Sequence, residues 1–146
     1  IPCYYTLLPN NTEVMFEGNR RAKYPFGFGL SYTTFEYSEL TVDKTGEYDF
    51  TVRATVKNTG SVKGDEVVQL YVNDVVSSVI TPLKELKGFE RITLDAGESK
   101  VVEFNLDFDS FKLLNKNYEW VVEKGEFEIM LGSSSEDIRL SQTVEI

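Results

Sequence analysis

From about Glu36 onward, apolar and polar residues alternate in short runs separated by turn-forming clusters. In "EYDFTVRATVKNTG", Phe50, Val52, Ala54 and Val56 fall on one side, and Thr51, Arg53, Thr55 and Lys57 fall on the other. A period of two predicts a half-buried strand, because successive side chains of a strand point to opposite faces. Asn58-Thr59-Gly60 ends the run with residues that tolerate the backbone angles of a tight turn. The pattern recurs, with Val68, Leu70 and Val72 inward, then Val102, Phe104 and Leu106 after a turn at Asp95–Gly97, then Phe127, Ile129 and Leu131. "YEWVV" and "EFEIMLG" are expected to face each other as a hairpin across Glu123-Lys124-Gly125, with "DIRLSQTVEI" as the last strand. "FEYSELTVD" and "LKGFERITL" bring the expectation to seven or eight strands. No stretch shows a helical period over ten or more residues. Seven or so short strands at this spacing predict an all-β, two-sheet antiparallel sandwich of the immunoglobulin or fibronectin type III kind. The missing Cys-Trp-Cys signature favours the fibronectin type.

Residues 1–35 break the rhythm. "IPCYYTLLPNNTEVMFEGNRRAK" has two prolines and no sustained period, yet carries Tyr4, Tyr5, Leu7 and Leu8. It reads as an irregular arm, residues 1–35, ahead of a sandwich formed by residues 36–146. Its end, "KYPFGFGLSYTTF", places five aromatic rings in thirteen residues. Pro25 has no N–H for a ladder, and Gly27 and Gly29 weaken any strand they enter. Tyr24, Pro25, Phe26, Gly27, Phe28, Gly29, Leu30 and Tyr32 are therefore expected to form an ordered strip that packs against a neighbouring surface. A phosphate-cradling glycine loop is the alternative, and it lacks the strand-to-helix context such loops need.

Length and charge narrow the options. A chain of 146 residues fits one domain, large enough to bury roughly 68–70% of its unfolded surface without a metal or disulfide staple. The excess of 24 acidic over 15 basic residues, net −9, should repel phosphate backbones and anionic lipid. Neither nucleic acid nor membrane is an expected partner. "GNRRAK" is a small basic cluster, and no apolar run reaches the length of a membrane span. The chain opens on Ile1 with no signal-peptide pattern, and reads as part of something longer.

The chain has no histidine and a single cysteine, Cys3. Ser–His–Asp and Cys–His catalysis, the common zinc sites and an intrachain disulfide are thereby excluded. Paired carboxylates could still run hydrolysis. Glu126 and Glu128 share one face of a strand at a separation compatible with an inverting glycosidase pair. Their alternation with Phe127 and Ile129 reads instead as the wet side of a strand. Asp107–Ser110 lacks the oxygen count of a calcium loop, and the sequon Asn10-Asn11-Thr12 is given no role. Trp120 could stack on a sugar ring; a lone Trp in a strand is more often core packing, and that is the expectation. No catalytic residue, metal ligand or cofactor is assigned.

"YPFGFGLSYTTFEYS", "VKNTGSVKGDEVVQLYV", "PLKELKGFERITLDAGES" and "WVVEKGEFEIMLGSSSEDIRL" together resemble the C-terminal portion of glycoside hydrolase family 3 enzymes. That family includes β-glucosidases and β-xylosidases. The resemblance runs in register over residues 24–146, and "IPCYY" is similar to the end of the preceding domain. It implies a fibronectin type III-like domain that supports a catalytic pair of domains in the same polypeptide, where the nucleophile and acid/base reside. It further implies that residues 24–34 run along the boundary with those domains. "DFDSFKLLNKNYEW" departs from the family pattern. Two rival readings are a carbohydrate-binding module, needing a row of exposed aromatics, and a free-standing adhesion domain.

Overall fold

The computed structural model describes residues 24, 26–79 and 84–146. Residues 1–23, Pro25 and 80–83 lie outside the described residues, and with them the arm's Tyr4, Tyr5, Leu7 and Leu8, Cys3, the sequon and the basic cluster. Nine strands and one short helix follow in order: β1 (Phe35–Lys44), β2 (Phe50–Asn58), β3 (Gly64–Asp74), β4 (Glu85–Leu94), β5 (Ser99–Leu106), α1 (Phe108–Phe111), β6 (Leu113–Leu114), β7 (Trp120–Val121), β8 (Glu126–Gly132) and β9 (Ile138–Glu145).

Seven of these strands build the sandwich. One sheet has the order β1-β2-β5 and the other β4-β3-β8-β9, while β6 and β7 pair separately. All pairings are antiparallel. The alternation seen in the sequence is what closes them. Phe50, Val52, Ala54 and Val56 of β2 face Val68, Leu70 and Val72 of β3 and Phe127, Ile129 and Leu131 of β8 in one continuous core. Phe104 packs at the margin of that core, where its ring reaches Gly88 of the opposite sheet. The helix closes one end. Phe111 sits edge-on to Phe50 of the first sheet (5.5 Å between centroids) and to Phe127 of the second (5.1 Å). Such edge-to-face contacts add to plain area burial. The Asp107 N–H donates to Ser110 Oγ (3.3 Å), fixing the turn that delivers Phe111.

Two expectations are corrected. "YEWVV" does not pair with "EFEIMLG": β7 pairs with β6, and β8 pairs with β3 on one edge and β9 on the other. Both edges of β8 are taken, so residues 120–121 have no ladder to join there. Trp120, expected in the core, is 60% exposed on this small β6–β7 hairpin.

Asn58 is the polar keystone of the fold. It is fully buried. Its Nδ2 donates to the carbonyls of Val62 (2.8 Å) and Leu94 (3.0 Å), and its Oδ1 accepts from Gly60 N–H (3.0 Å) and Thr33 Oγ1 (2.7 Å). One side chain thus joins the β2–β3 turn, the end of β4 and the residues ahead of β1. Gly60 is required at this corner, because a Cβ there would stand 1.9 Å from Thr33 Oγ1. Replacing Asn58 strands several buried polar groups at once, each costing ~1–3 kcal/mol when unpaired. Asn58→Ala should lower the unfolding free energy of the chain by ~2–4 kcal/mol in urea titration; a loss within experimental error of zero would contradict this role.

Candidate functional site: an aromatic strip pinned beside a groove

The segment from Tyr24 to Thr34 runs outside the four-stranded sheet, held by its backbone. Ser135 N–H donates to the Phe26 carbonyl (2.8 Å), Gln69 Nε2 to the Gly27 carbonyl (2.9 Å), and Thr59 N–H to the Thr34 carbonyl (2.9 Å). Gln69 is the central anchor. Its Nε2 also reaches the Ser133 carbonyl (2.9 Å), and its Oε1 accepts from the Tyr71 hydroxyl (2.6 Å). The alternation in β3 places Gln69 and Tyr71 on the outer face, yet both are buried, with Met130, Ser134 and Ser135. This polar cluster outside the main core is the seat of the strip.

Gly27 fits that seat for two reasons. Its φ of +79° lies in the left-handed region, and a Cβ would meet Gln69 Oε1 at 2.0 Å. With the backbone satisfied in this way, the large side chains remain outside. Leu30 is 92% exposed and Tyr32 99%, while Tyr24, Phe26 and Phe28 are exposed to lesser degrees. Tyr24 and Phe28 stack on each other, 5.2 Å between centroids. A Cβ at Gly29 would meet open space. Phe26 to Leu30 form a ledge on which Tyr24 stacks against Phe28, with Tyr32 exposed beyond it; Pro25 lies outside the described residues.

Beside the ledge lies an open groove of about 960 Å³, walled by Phe26, Phe28 and Leu30 on one side and by Phe89 of β4 on the other. Its lining includes Glu66, Asp137 and Arg139, a network that periodicity did not single out. The Tyr37 hydroxyl donates to Glu66 Oε1 (2.9 Å). The Arg139 guanidinium forks onto Asp137 (2.8 and 2.9 Å), donates to the Phe35 carbonyl (2.9 Å), and lies 5.5 Å from the Tyr37 ring centre. Ser133 Oγ completes Asp137 (2.6 Å). Burial raises the Glu66 carboxyl above its ordinary 4.5, despite the Tyr37 hydrogen bond that works the other way. Burial likewise raises the Tyr37 phenol. Arg139 holds Asp137 below the ordinary carboxylate range. The sequence signal for this network is slight: Glu66 and Arg139 read as polar positions of strands, and nothing local pairs the two.

The arrangement suits adhesion between surfaces better than bond cleavage. Glu126 is exposed and Glu128 half-buried, across from Glu145 and Thr143 of β9. Neither lines the groove. Among the described residues no group of three or more His, Cys, Asp or Glu could hold a metal ion. Asp107 caps the turn into α1, and its neighbours pack or solvate that helix.

Two outcomes test the geometry. Gln69→Leu removes the anchor with little change of volume. Exchange of the Ser135 amide, which rests on the strip, should then quicken by ~2–10-fold, the equivalent of one net hydrogen bond; unchanged protection would show that Gln69 does not hold the strip. For Glu66, a raised pKa in the folded state means that its contribution is fully present below 4.5 and is lost as pH rises through the folded value. Glu66→Gln should therefore gain stability relative to the parent sequence as pH rises above the ordinary 4.5. A relative loss over that range would contradict the burial of the charge.

Comparison with known proteins gives this geometry a context. Residues 66–135 match the family model of the fibronectin type III-like domain. Thermostable beta-glucosidase B of Acetivibrio thermocellus is 51% identical over 127 residues, which is 84% of this chain and 17% of that protein. A beta-xylosidase of Formosa agariphila is 53% identical over 115 residues, covering 77% of this chain and 16% of the relative. Among solved structures, beta-glucosidase from Listeria innocua in complex with gluconolactone superposes with a TM-score of 0.90 at 36% identity, over 99% of this chain and 22% of that one. The GH3 beta-glucosidase of Bifidobacterium adolescentis gives a TM-score of 0.82 at 44% identity, over 84% of this chain and 18% of that one. The chain thus spans about a sixth of the length of the curated relatives it matches. It belongs to the fibronectin type III-like domains of the glycoside hydrolase family 3 β-glucosidases and β-xylosidases.

Proposed function

We propose that this chain is the non-catalytic support domain of a family 3 β-glycosidase that hydrolyses terminal β-glycosidic bonds, and that residues 24–32 dock it onto the catalytic domains of the same polypeptide. The observation that carries this reading is the contrast along the strip: its backbone is hydrogen-bonded to the sandwich while Leu30 and Tyr32 stand almost wholly in solvent. An isolated soluble surface gains nothing from a fixed row of apolar groups, whereas a seam does. Leu30, Phe28 and Phe89 flank one groove, so the exposed groups form a contiguous patch. Fully burying a Leu or Phe side chain contributes ~1.5–3 kcal/mol. Leu30 and Tyr32, the most exposed, have the most to gain, and Phe26 and Phe28 add the area they still show. The domain's part in carbohydrate metabolism is then mechanical, holding the catalytic domains in place while the bond-breaking groups lie elsewhere in the parent.

Leu30→Ala combined with Tyr32→Ala should lower the unfolding temperature of the full-length enzyme by a few degrees. The same pair should change the isolated chain by no more than ~0.5 kcal/mol, as for other exposed positions. Equal effects in the two settings would contradict a docking role. The isolated chain should release no aryl alcohol from aryl β-glucosides, and measurable turnover would overturn the assignment of catalysis to the rest of the parent.

A further inference from the structure

A second recess, about 390 Å³, is bounded by α1, the β6–β7 hairpin and the adjoining ends of β3 and β4. That volume falls within the range of small-molecule sites. Trp120 forms one wall, held in place by a well-built hairpin. Asn115 Oδ1 accepts from the N–H groups of Asn117 (2.8 Å) and Glu119 (3.0 Å), and Tyr118 takes a φ of +61° to complete the turn. A non-glycine residue in the left-handed region costs free energy, which the Asn115 hydrogen bonds offset. The result is a large aromatic plate that is fixed in position and mostly exposed.

Polar groups of both signs surround the plate. Lys112 Nζ lies 4.8 Å from the Trp120 ring centre and 2.8 Å from Asp109 Oδ1. On β4, Lys87 Nζ lies 2.8 Å from Glu85 Oε2. At the end of β3, Asp74 Oδ2 is buried and has no donor among the described residues. Burial raises the Asp74 carboxyl above its ordinary value, with the charge of Glu123 acting in the same direction. The backbone N–H of Val76 works against that shift, so the turn after β3 partly serves the carboxyl.

The chemistry selects among ligand classes. An anion would meet three carboxylates against two ammonium groups, in a chain of net charge −9. A metal ion would need a ligand set that the described residues do not supply. A purely apolar ligand would strip water from two ion pairs without replacing it. A neutral polyol with one apolar ring face suits these walls: its C–H face covers the side of the indole that Lys112 leaves open, and its hydroxyls both donate and accept.

We propose that this recess is a saccharide-binding site, with a pyranose ring stacked on Trp120 and its hydroxyl groups shared among Asp74, Asp109 and Lys112. It stands independently of the docking strip, whose residues do not line it. It also differs from a row of aromatics along a sheet face, because a single plate and its polar rim do the recognising.

Trp120 is the only tryptophan of the chain, so its fluorescence reports the site alone. Titrating the 146-residue chain with cellohexaose, and separately with xylohexaose, should shift its emission saturably for at least one of them, with a midpoint near ~1 mM, the affinity of one stacked ring and a few hydrogen bonds. Glycerol at equal hydroxyl concentration should give no saturable shift. Asp74→Ala should weaken binding by ~3–10-fold, and Lys112→Met, at the rim, should do so without disturbing the fold. Trp120→Ala should abolish the heat of binding in calorimetry. Absence of saturation with both sugars up to ~20 mM, an equal response to glycerol, or full affinity in Trp120→Ala would overturn the proposal.

Discussion

A single buried carboxamide, that of Gln69, decides what the outside of this domain looks like. By donating to both Gly27 and Ser133 and accepting from Tyr71, it closes the polar accounts of three separate segments over the outer face of β3. An extended backbone laid on a sheet needs its carbonyls and N–H groups paired if it is to stay there. Gln69 and the Ser135 amide supply that pairing at Gly27 and Phe26, and Thr59 supplies it at Thr34. Because the backbone is what is held, the side chains are left to point outward.

The core beneath makes such a device affordable. Two sheets closed by alternating apolar residues, and sealed at one end by Phe111, form a stable platform that does not need the strip for its own burial. Asn58 couples the platform to the strip, since Thr33 bonds to the same oxygen that orders the β2–β3 turn. The residues ahead of β1 are thereby tied to the ends of β2 and β4 through one buried side chain. That is the property expected of the brace between domains proposed above.

Much of this was legible in the sequence where a residue's own pattern carried the information. The inward faces of β2, β3 and β8 follow from strict alternation, and the two-sheet architecture follows from their number and spacing. The aromatic segment announced itself by composition. What stayed hidden depended on pairing over long separations. Gln69 reads as the polar half of an alternating strand; that it is buried depends on Gly27 and Ser133, 42 and 64 residues away. The hairpin expected at residues 118–132 failed because β3 and β9 occupy both edges of β8, a competition no local pattern reveals. Trp120 stays out of the core for the same reason: the two-residue strand it starts, β7, pairs with β6 and not with β8.

The central claim is that residues outside the sandwich's own core, held by Gln69, are covered by the rest of the parent polypeptide. Hydroxyl-radical footprinting of Tyr32 and Leu30, compared between the isolated chain and the full-length enzyme, tests it most directly. The account predicts rapid modification of both side chains in the isolated chain and strong protection of both in the full-length enzyme. Equal modification rates in the two would contradict it.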